Sequence, residues 1–212
     1  TLEPSSAASD VYKRQLDGIV DVPGDKSMSH RSLILGSLAI GTTKVTGLLE
    51  GADVLATADA MRAFGSDIIR HDDGTWVIEG QGLHGLTAPS KALDLGNSGT
   101  GVRLLMGVVA GQAITATFTG DASLSVRPMA RITDPLREMG TIVASRDGGL
   151  LPVTITGQSE PMAISYESPV ASAQIKSAIL LAGLTARGDS AVIEAHAARA
   201  HTARMRRPVG AS

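Results

Sequence analysis

The chain has no cysteine among its 212 residues. That excludes a disulfide framework, a thiolate zinc site and a cysteine nucleophile. Aromatic residues are almost as scarce: two Phe, two Tyr and one Trp. Basic and acidic residues nearly cancel, 19 against 21, for a formal net charge of −2. A nucleic-acid binder wants a basic face and stacking platforms, so both scarcities argue against one. No apolar run reaches the roughly 18 residues that span a bilayer. The first residues also lack the apolar core of a signal peptide. The expectation is a soluble, cytoplasmic protein with no membrane and no nucleic-acid partner.

What is present is aliphatic. Hydrophobic residues make up 43% and glycines number 24. This composition supports a packed core rather than a disordered chain. Length alone suggests one to two domains. Residues 1–15, TLEPSSAASDVYKRQ, are polar, Ser/Ala-rich and unlike the rest of the chain. They are expected to be a disordered or artefactual leader. The other end, MRRPVGAS, follows Arg204 and crowds Arg206 and Arg207 beside it, and is set apart in the same way.

Between the ends, helix and strand patterns alternate, which predicts an α/β (α+β) fold. Val20–Val22 reads as a short strand, Ser27–Ile40 as a helix stopped by Gly41, and Thr43–Leu48 as a strand. Asp53 is placed to cap a helix that ends at Gly65. Ile68–Arg70 and Trp76–Ile78 flank a hairpin turn at Asp72-Asp73-Gly74. The order then recurs: helix Ser98–Ala110, strand Ile114–Thr119, helix Met129–Met139 interrupted at Pro135, and strands Thr141–Ala144 and Pro152–Thr156. A third start comes next, with helix Ser172–Leu184 and strand Ala191–Glu194.

Spacing supports the recurrence. Arg31, Arg103 and Lys176 are separated by 72 and 73 residues; Gly41, Gly111 and Gly188 by 70 and 77. Phe64-Gly65 and Met139-Gly140 lie 75 apart, and Gly80 and Gly157 lie 77 apart. A period near 75 is too long for a solenoid and suits βαβαββ units around a shared core.

The richest stretch is Pro23-Gly24-Asp25-Lys26-Ser27-Met28-Ser29-His30-Arg31. A Pro-Gly turn leads into a helix start, where free N–H groups and a partial positive charge favour anions. Lys26, Ser27 and Arg31 add an ammonium, a hydroxyl and a guanidinium, suiting phosphate or carboxylate. The competing reading is a solvated, well-capped helix start. No Walker frame is present. The second unit opens on Leu95-Gly96-Asn97-Ser98-Gly99-Thr100-Gly101 and the third on Ser168-Pro169-Val170-Ala171-Ser172-Ala173-Gln174-Ile175-Lys176. If the units pack symmetrically, three helix starts converge into an anion site. Arg127 either reaches a carboxylate or lies on the surface; spacing favours neither. The five histidines show no metal-ligand spacing, His30 is expected to pack locally, and the methionines sit at core spacings.

Four ordered segments carry a resemblance. Gly24–Arg31, Leu95–Arg103, Gly120–Met129 and Ser172–Ser177 are similar to segments of the 5-enolpyruvylshikimate-3-phosphate synthase family. The likeness runs from about Val20 to about Arg199. It implies an enolpyruvyl transferase-type domain over 16–212, with units of about 16–90, 91–165 and an incomplete 166–212. In such a family the chain is an N-terminal half, and a missing C-terminal domain would complete it in cis. The implied reaction moves the enolpyruvyl group of phosphoenolpyruvate to the 5-hydroxyl of shikimate 3-phosphate, in aromatic amino acid biosynthesis. It needs no metal and no organic cofactor, and the full-length enzyme, the target of glyphosate, is expected to be a monomer.

The resemblance carries over residue by residue. Lys26 would contact both substrates, with Ser27 and Arg31 on the shikimate part. Asn97, Gly99 and Thr100 would bound the phosphoenolpyruvate pocket, and Arg127 would pair with its anionic groups. Ser172 and Ala173 would line the phosphate site of shikimate 3-phosphate, Gln174 would lie between the substrates, and Arg199 keeps a phosphate role. None of these is the proton-transfer group, which the family places in its other half, so the 212-residue chain alone is expected to be inactive. One departure stands out: Arg199-Ala200-His201-Thr202-Ala203 replaces an Arg-Asp-His-Thr-Glu pattern, losing two acidic residues. Two alternatives remain. One is the related UDP-N-acetylglucosamine enolpyruvyl transferase, disfavoured by the absent cysteine and the Lys26–Arg31 run. The other is a non-catalytic anion-binding half-domain.

Overall fold

The structure is a computed structural model that describes residues 22–196 and 199–205. The expected leader over 1–15 and most of the strand expected at Val20–Val22 lie outside the described residues. Val22 itself is exposed and belongs to no strand.

The first run is α1 (Lys26–Leu38), β1 (Ile40–Val45), α2 (Ala52–Ala63), β2 (Asp67–Arg70) and β3 (Trp76–Gln81). The second is β4 (Leu93–Asp94), α3 (Gly99–Ala110), β5 (Thr115–Thr119), α4 (Ala122–Ser125), α5 (Ala130–Glu138), β6 (Ile142–Arg146) and β7 (Leu150–Thr156). The third is β8 (Ser165–Ser168), α6 (Ala173–Ala182), a 3₁₀ turn at Gly183–Thr185, β9 (Ala191–Glu194) and α7 (His201–Met205).

The sheets repeat as well as the order. Strands pair β1-β3-β2 in the first run and β5-β7-β6 in the second, antiparallel throughout. β4 adds to β5 in parallel, and β8 to β9 in parallel. Gly80 and Gly157 show why the repeat is close. A Cβ on Gly80 would lie 2.2 Å from the Ala39 carbonyl oxygen, and one on Gly157 1.8 Å from that of Val109. In both runs the last strand's backbone presses on the end of the first helix, where only glycine fits.

Alternation sets the sheet faces. In β7, Leu151, Val153 and Ile155 are buried. On the opposite face, Thr154 and Thr156 pair through their hydroxyls with Thr117 and Thr115, at 2.9 and 3.0 Å. Helices fill the space behind the sheets, packing Leu33, Ile34, Met61, Leu104, Leu105, Met106 and Ile179 with Trp76, Phe64 and Phe118. The helical crossing of α3 and α6 is close: a Cβ on Gly107 would lie 2.4 Å from the Ala178 carbonyl oxygen.

Several sequence expectations shift. Gly41 does not end α1; the helix stops at Leu38, and Ala39 is already extended. Gly41, at φ +87°, lies inside β1, letting the chain pass from helix to strand without a loop. β1 therefore starts at Ile40 and ends at Val45, before the turn at Gly47 (φ +67°). Asp53 is not a cap: Gly51 holds that place and Asp53 sits in the first turn of α2. α5 runs through Pro135, whose missing N–H costs one backbone bond while Leu136 stays buried. Met28 and Met162 are exposed rather than core.

Candidate anion-binding site

The site is built on helix starts. At α1, the Asp25 side chain accepts from the Met28 N–H at 2.8 Å, and the next residue is Lys26. Lys26 Nζ pairs with Asp53 Oδ2. The Lys26 side chain is 55% exposed, that of Asp53 only 11%. Partial burial works against ionising Asp53, yet the bond and charge of Lys26, with His30 and the Val54 N–H, hold its carboxyl below the usual range. His30, fully buried behind this pair, places Nδ1 2.8 Å from Thr57 Oγ1 and Nε2 3.7 Å from Asp53 Oδ2. Burial lowers the His30 pKa to about 4; Asp53 opposes this, and Lys26 and Arg31 add to it. His30 packs as expected, but its partners are not local: Thr57 and Asp53 come from α2.

The second start is α3. Its cap, Ser98, accepts from the Gly101 N–H at 3.2 Å. Thr57 from α2 reaches the same turn, since a Cβ on Gly101 would fall 2.6 Å from Thr57 Oγ1. Gly99 is buried between two guanidiniums: its Cβ would lie 2.9 Å from Arg103 Nη1 and 3.1 Å from Arg127 Nη1. The third start, α6, is capped by Ser172 and joins α3 through Gln174 Nε2, which donates to Thr100 Oγ1 at 3.1 Å.

Arg103, Arg131, Pro128, Ser172 and Gln174 line a cleft of about 310 Å³. Burial lowers the Arg103 pKa, and the charges of Arg127 and Arg131 lower it further. Arg103 Nη1 donates to the Gly99 carbonyl at 3.0 Å, and Arg127 Nη2 to Ser123 Oγ at 2.9 Å. Among the described residues, none of these three arginines forms an ion pair with a carboxylate. Like charges held together without counter-charge favour an anion between them. Among the described residues no group of three or more His, Asp or Glu could hold a metal ion.

Not every expected residue gathers here. Arg31 is buried, and three of its five N–H donors are taken inside: Nε by Thr202 Oγ1 at 2.7 Å, Nη1 by the Ser27 carbonyl at 2.9 Å, Nη2 by Ser177 Oγ at 2.7 Å. Lys176 is paired with Glu194 at 2.5 Å, both nearly buried, so its charge is spent locally. Arg199 is exposed and lines a separate cavity with Asp25, His201 and Arg204, beside the α1 cap. Asn97 is exposed and its carbonyl accepts from the Gly99 N–H at 2.8 Å. Ala173 opens α6, half-buried.

Sequence reasoning missed Asp53 and Thr57 as partners of the α1 start, and Arg131 as a third guanidinium. The signal for Arg131 was its place near the start of the helix that follows Arg127-Pro128. Nothing in the spacing linked Asp53 to Lys26, since that contact is tertiary.

A family model described as EPSP synthase (3-phosphoshikimate 1-carboxyvinyltransferase) matches residues 12–212. The chain belongs to this family. A relative from Dinoroseobacter shibae, 3-phosphoshikimate 1-carboxyvinyltransferase, is 60% identical over 92% of this chain and 44% of its own length. One of the same name from Parvibaculum lavamentivorans is 56% identical over 100% of this chain and 45% of its own. The solved structure of EPSP synthase from Acinetobacter baumannii superposes with a TM-score of 0.87 at 52% identity, covering 91% of this chain and 44% of that one. The chain thus spans less than half the length of the family members it matches. No described helix is long and apolar enough to cross a membrane.

Proposed function

We propose that this chain forms one wall of the substrate site of a 3-phosphoshikimate 1-carboxyvinyltransferase, binding shikimate 3-phosphate and phosphoenolpyruvate. The observation that carries this reading is the meeting of the α3 and α6 starts at Thr100 and Gln174, beside three arginines that have no carboxylate partner among the described residues. Two polyanions need such a surface.

In this reading Lys26 faces both substrates, and Ser27 and Ser172 present hydroxyls to shikimate 3-phosphate beside Ala173. Arg31 acts from within, by tying the Ser27 carbonyl of α1 to the Ser177 and Thr202 hydroxyls of α6 and α7. Asn97, Gly99, Thr100 and Arg127 bound phosphoenolpyruvate, Gln174 spans both, and Arg199 meets the phosphate from the cap side of α1. The reaction adds the 5-hydroxyl to C2 of phosphoenolpyruvate, protonates C3, and expels phosphate from the tetrahedral intermediate. The proton-handling groups belong to a second domain in cis, which the greater length of the relatives supports. The recurring element order supports units at about 16–90, 91–165 and 166–212. The completed enzyme is read as a cytoplasmic monomer.

Calorimetry with shikimate 3-phosphate, paired with a phosphate-release assay, tests this. Binding with little or no turnover is expected. No binding would overturn the reading, and normal turnover by this chain alone would overturn the assignment of proton transfer to a second domain.

A further inference from the structure

We propose that His30 and Asp53 form a buried positioning pair that fixes the Lys26 ammonium at the start of α1. The inference rests on the reading of Lys26 as a substrate-binding residue.

A carboxylate is out of place beside an anion site unless it has a task. Asp53 has two oxygens with separate partners. Oδ1 accepts from the Val54 N–H at 3.0 Å, anchoring it in the first turn of α2. That turn's free N–H groups favour a carboxylate. Oδ2 faces both Lys26 Nζ and His30 Nε2. Lys26 needs such a hold. Its stem is flexible, its side chain is mostly exposed, and it stands at the first residue of its helix.

The histidine decides which way Asp53 pulls. His30 is fully buried, and among the described residues Nε2 has no hydrogen-bond partner; it faces the Asp53 carboxylate at 3.7 Å, just beyond hydrogen-bond reach. Of its two neutral tautomers, only the one protonated on Nε2 turns a donor toward Asp53, and it requires the Thr57 hydroxyl, which also lies 3.3 Å from the Asp53 carbonyl as a donor, to turn to Nδ1 instead. With the proton on Nε2, an N–H points at Asp53, and Nδ1 accepts from the Thr57 hydroxyl at 2.8 Å. With the proton on Nδ1, a lone pair would face the carboxylate. A neutral ring orients Asp53 without competing for its charge, which stays with Lys26. Thr57 then carries the support to α3, through its contact at Gly101. The pair therefore holds a cation and couples two helix starts.

The test has a ligand-free part and a ligand part, both on the 212-residue chain. ¹⁵N NMR of the His30 ring is expected to show a neutral ring protonated on Nε2 between roughly pH 5.5 and 7.5. A ring protonated on Nδ1 in that range would overturn the pairing. Calorimetry with shikimate 3-phosphate is then run on a cycle of Lys26→Met and Asp53→Asn. Asp53→Asn is expected to weaken binding about tenfold with Lys26 present. With Lys26→Met the same change should cost less than about twofold, because Asp53 acts through Lys26. Asp53→Glu, which keeps the charge, should recover part of the loss. Equal losses in both backgrounds, or tighter binding in Asp53→Asn, would overturn the proposal. If the parent chain binds no shikimate 3-phosphate, the functional reading fails by itself. The His30 spectrum then decides the pairing: an Nε2-protonated ring that changes in Asp53→Asn supports it, and an unchanged ring overturns it.

Discussion

Gln174 donates its side-chain N–H to Thr100 Oγ1 across 3.1 Å, joining the starts of α6 and α3, 74 residues apart in the chain. Each of these helices has its own Ser cap, so the bond is not needed to form either. It sets where their N-termini lie relative to one another. Gln174→Ala should therefore weaken shikimate 3-phosphate binding about tenfold while costing under about 1 kcal/mol of stability. Calorimetry and a thermal melt on the same variant check this. A large loss of stability with unchanged binding would make Gln174 a packing residue.

Arg31 behaves oppositely. Its guanidinium is buried and serves Thr202, Ser27 and Ser177 at once. Arg31→Met leaves those acceptors without their donor, at a cost of about 3 kcal/mol. Thr202→Val removes one partner of Arg31 together with the 2.8 Å Thr202–Ser177 hydroxyl bond, and should cost less, about 1–2 kcal/mol. Urea unfolding of the two variants measures the difference.

Gly107 offers a case where two effects compete. Alanine is the better helix former by about 1 kcal/mol. Yet its Cβ would lie 2.4 Å from the Ala178 carbonyl oxygen and 2.6 Å from its Cα, both backbone atoms that cannot turn aside. Overpacking of about 1–3 kcal/mol should win, so Gly107→Ala lowers the melting temperature. A raised melting temperature would show that α3 and α6 can separate at little cost.

His30 makes stability depend on pH. Its pKa falls from 6.5 to about 4 on folding, chiefly through burial, so the unfolded chain binds more protons between those values. Stability from this group is therefore complete above about pH 6.5 and is lost as pH falls toward 4. The slope approaches about 1.4 kcal/mol per pH unit in that window. Urea titrations at several pH values should show this slope, and His30→Asn should flatten it. Measurements above about pH 4.5 keep the Asp53 carboxyl, held below the usual range by Lys26, out of the comparison.

Much of the fold was legible in the sequence for local reasons. The sequence reads helices from Ser98 and from Ser172, and each residue turns out to be the cap one place before its helix, where a hydroxyl accepts an unpaired N–H. Asp73-Gly74 marks the β2–β3 turn, where the Asp73 carboxylate accepts from the Thr75 N–H at 2.8 Å and Gly74 takes φ +80°. The errors fell where a neighbour overrode the local signal. Gly41 looked like a helix stop because glycine ends helices; it became a strand residue opposite Gly80. Asp53 looked like a cap because aspartate caps helices; it is held instead by Lys26.

The site divides in the same way. The sequence by itself determined that three helix starts carry small, hydroxyl and cationic residues at a period near 75, because capping and glycine turns are written in consecutive residues. Tertiary structure alone decided which cations stay available. Arg31 and Lys176 share the helical positions that marked the repeat, with Arg103, yet two of the three are spent on Ser177, Thr202 and Glu194. Arg103 stands instead beside Arg127 and Arg131. The physical reason is partnership: a cation's donors are occupied or left open by what packs against it, and most of those partners come from distant parts of the chain.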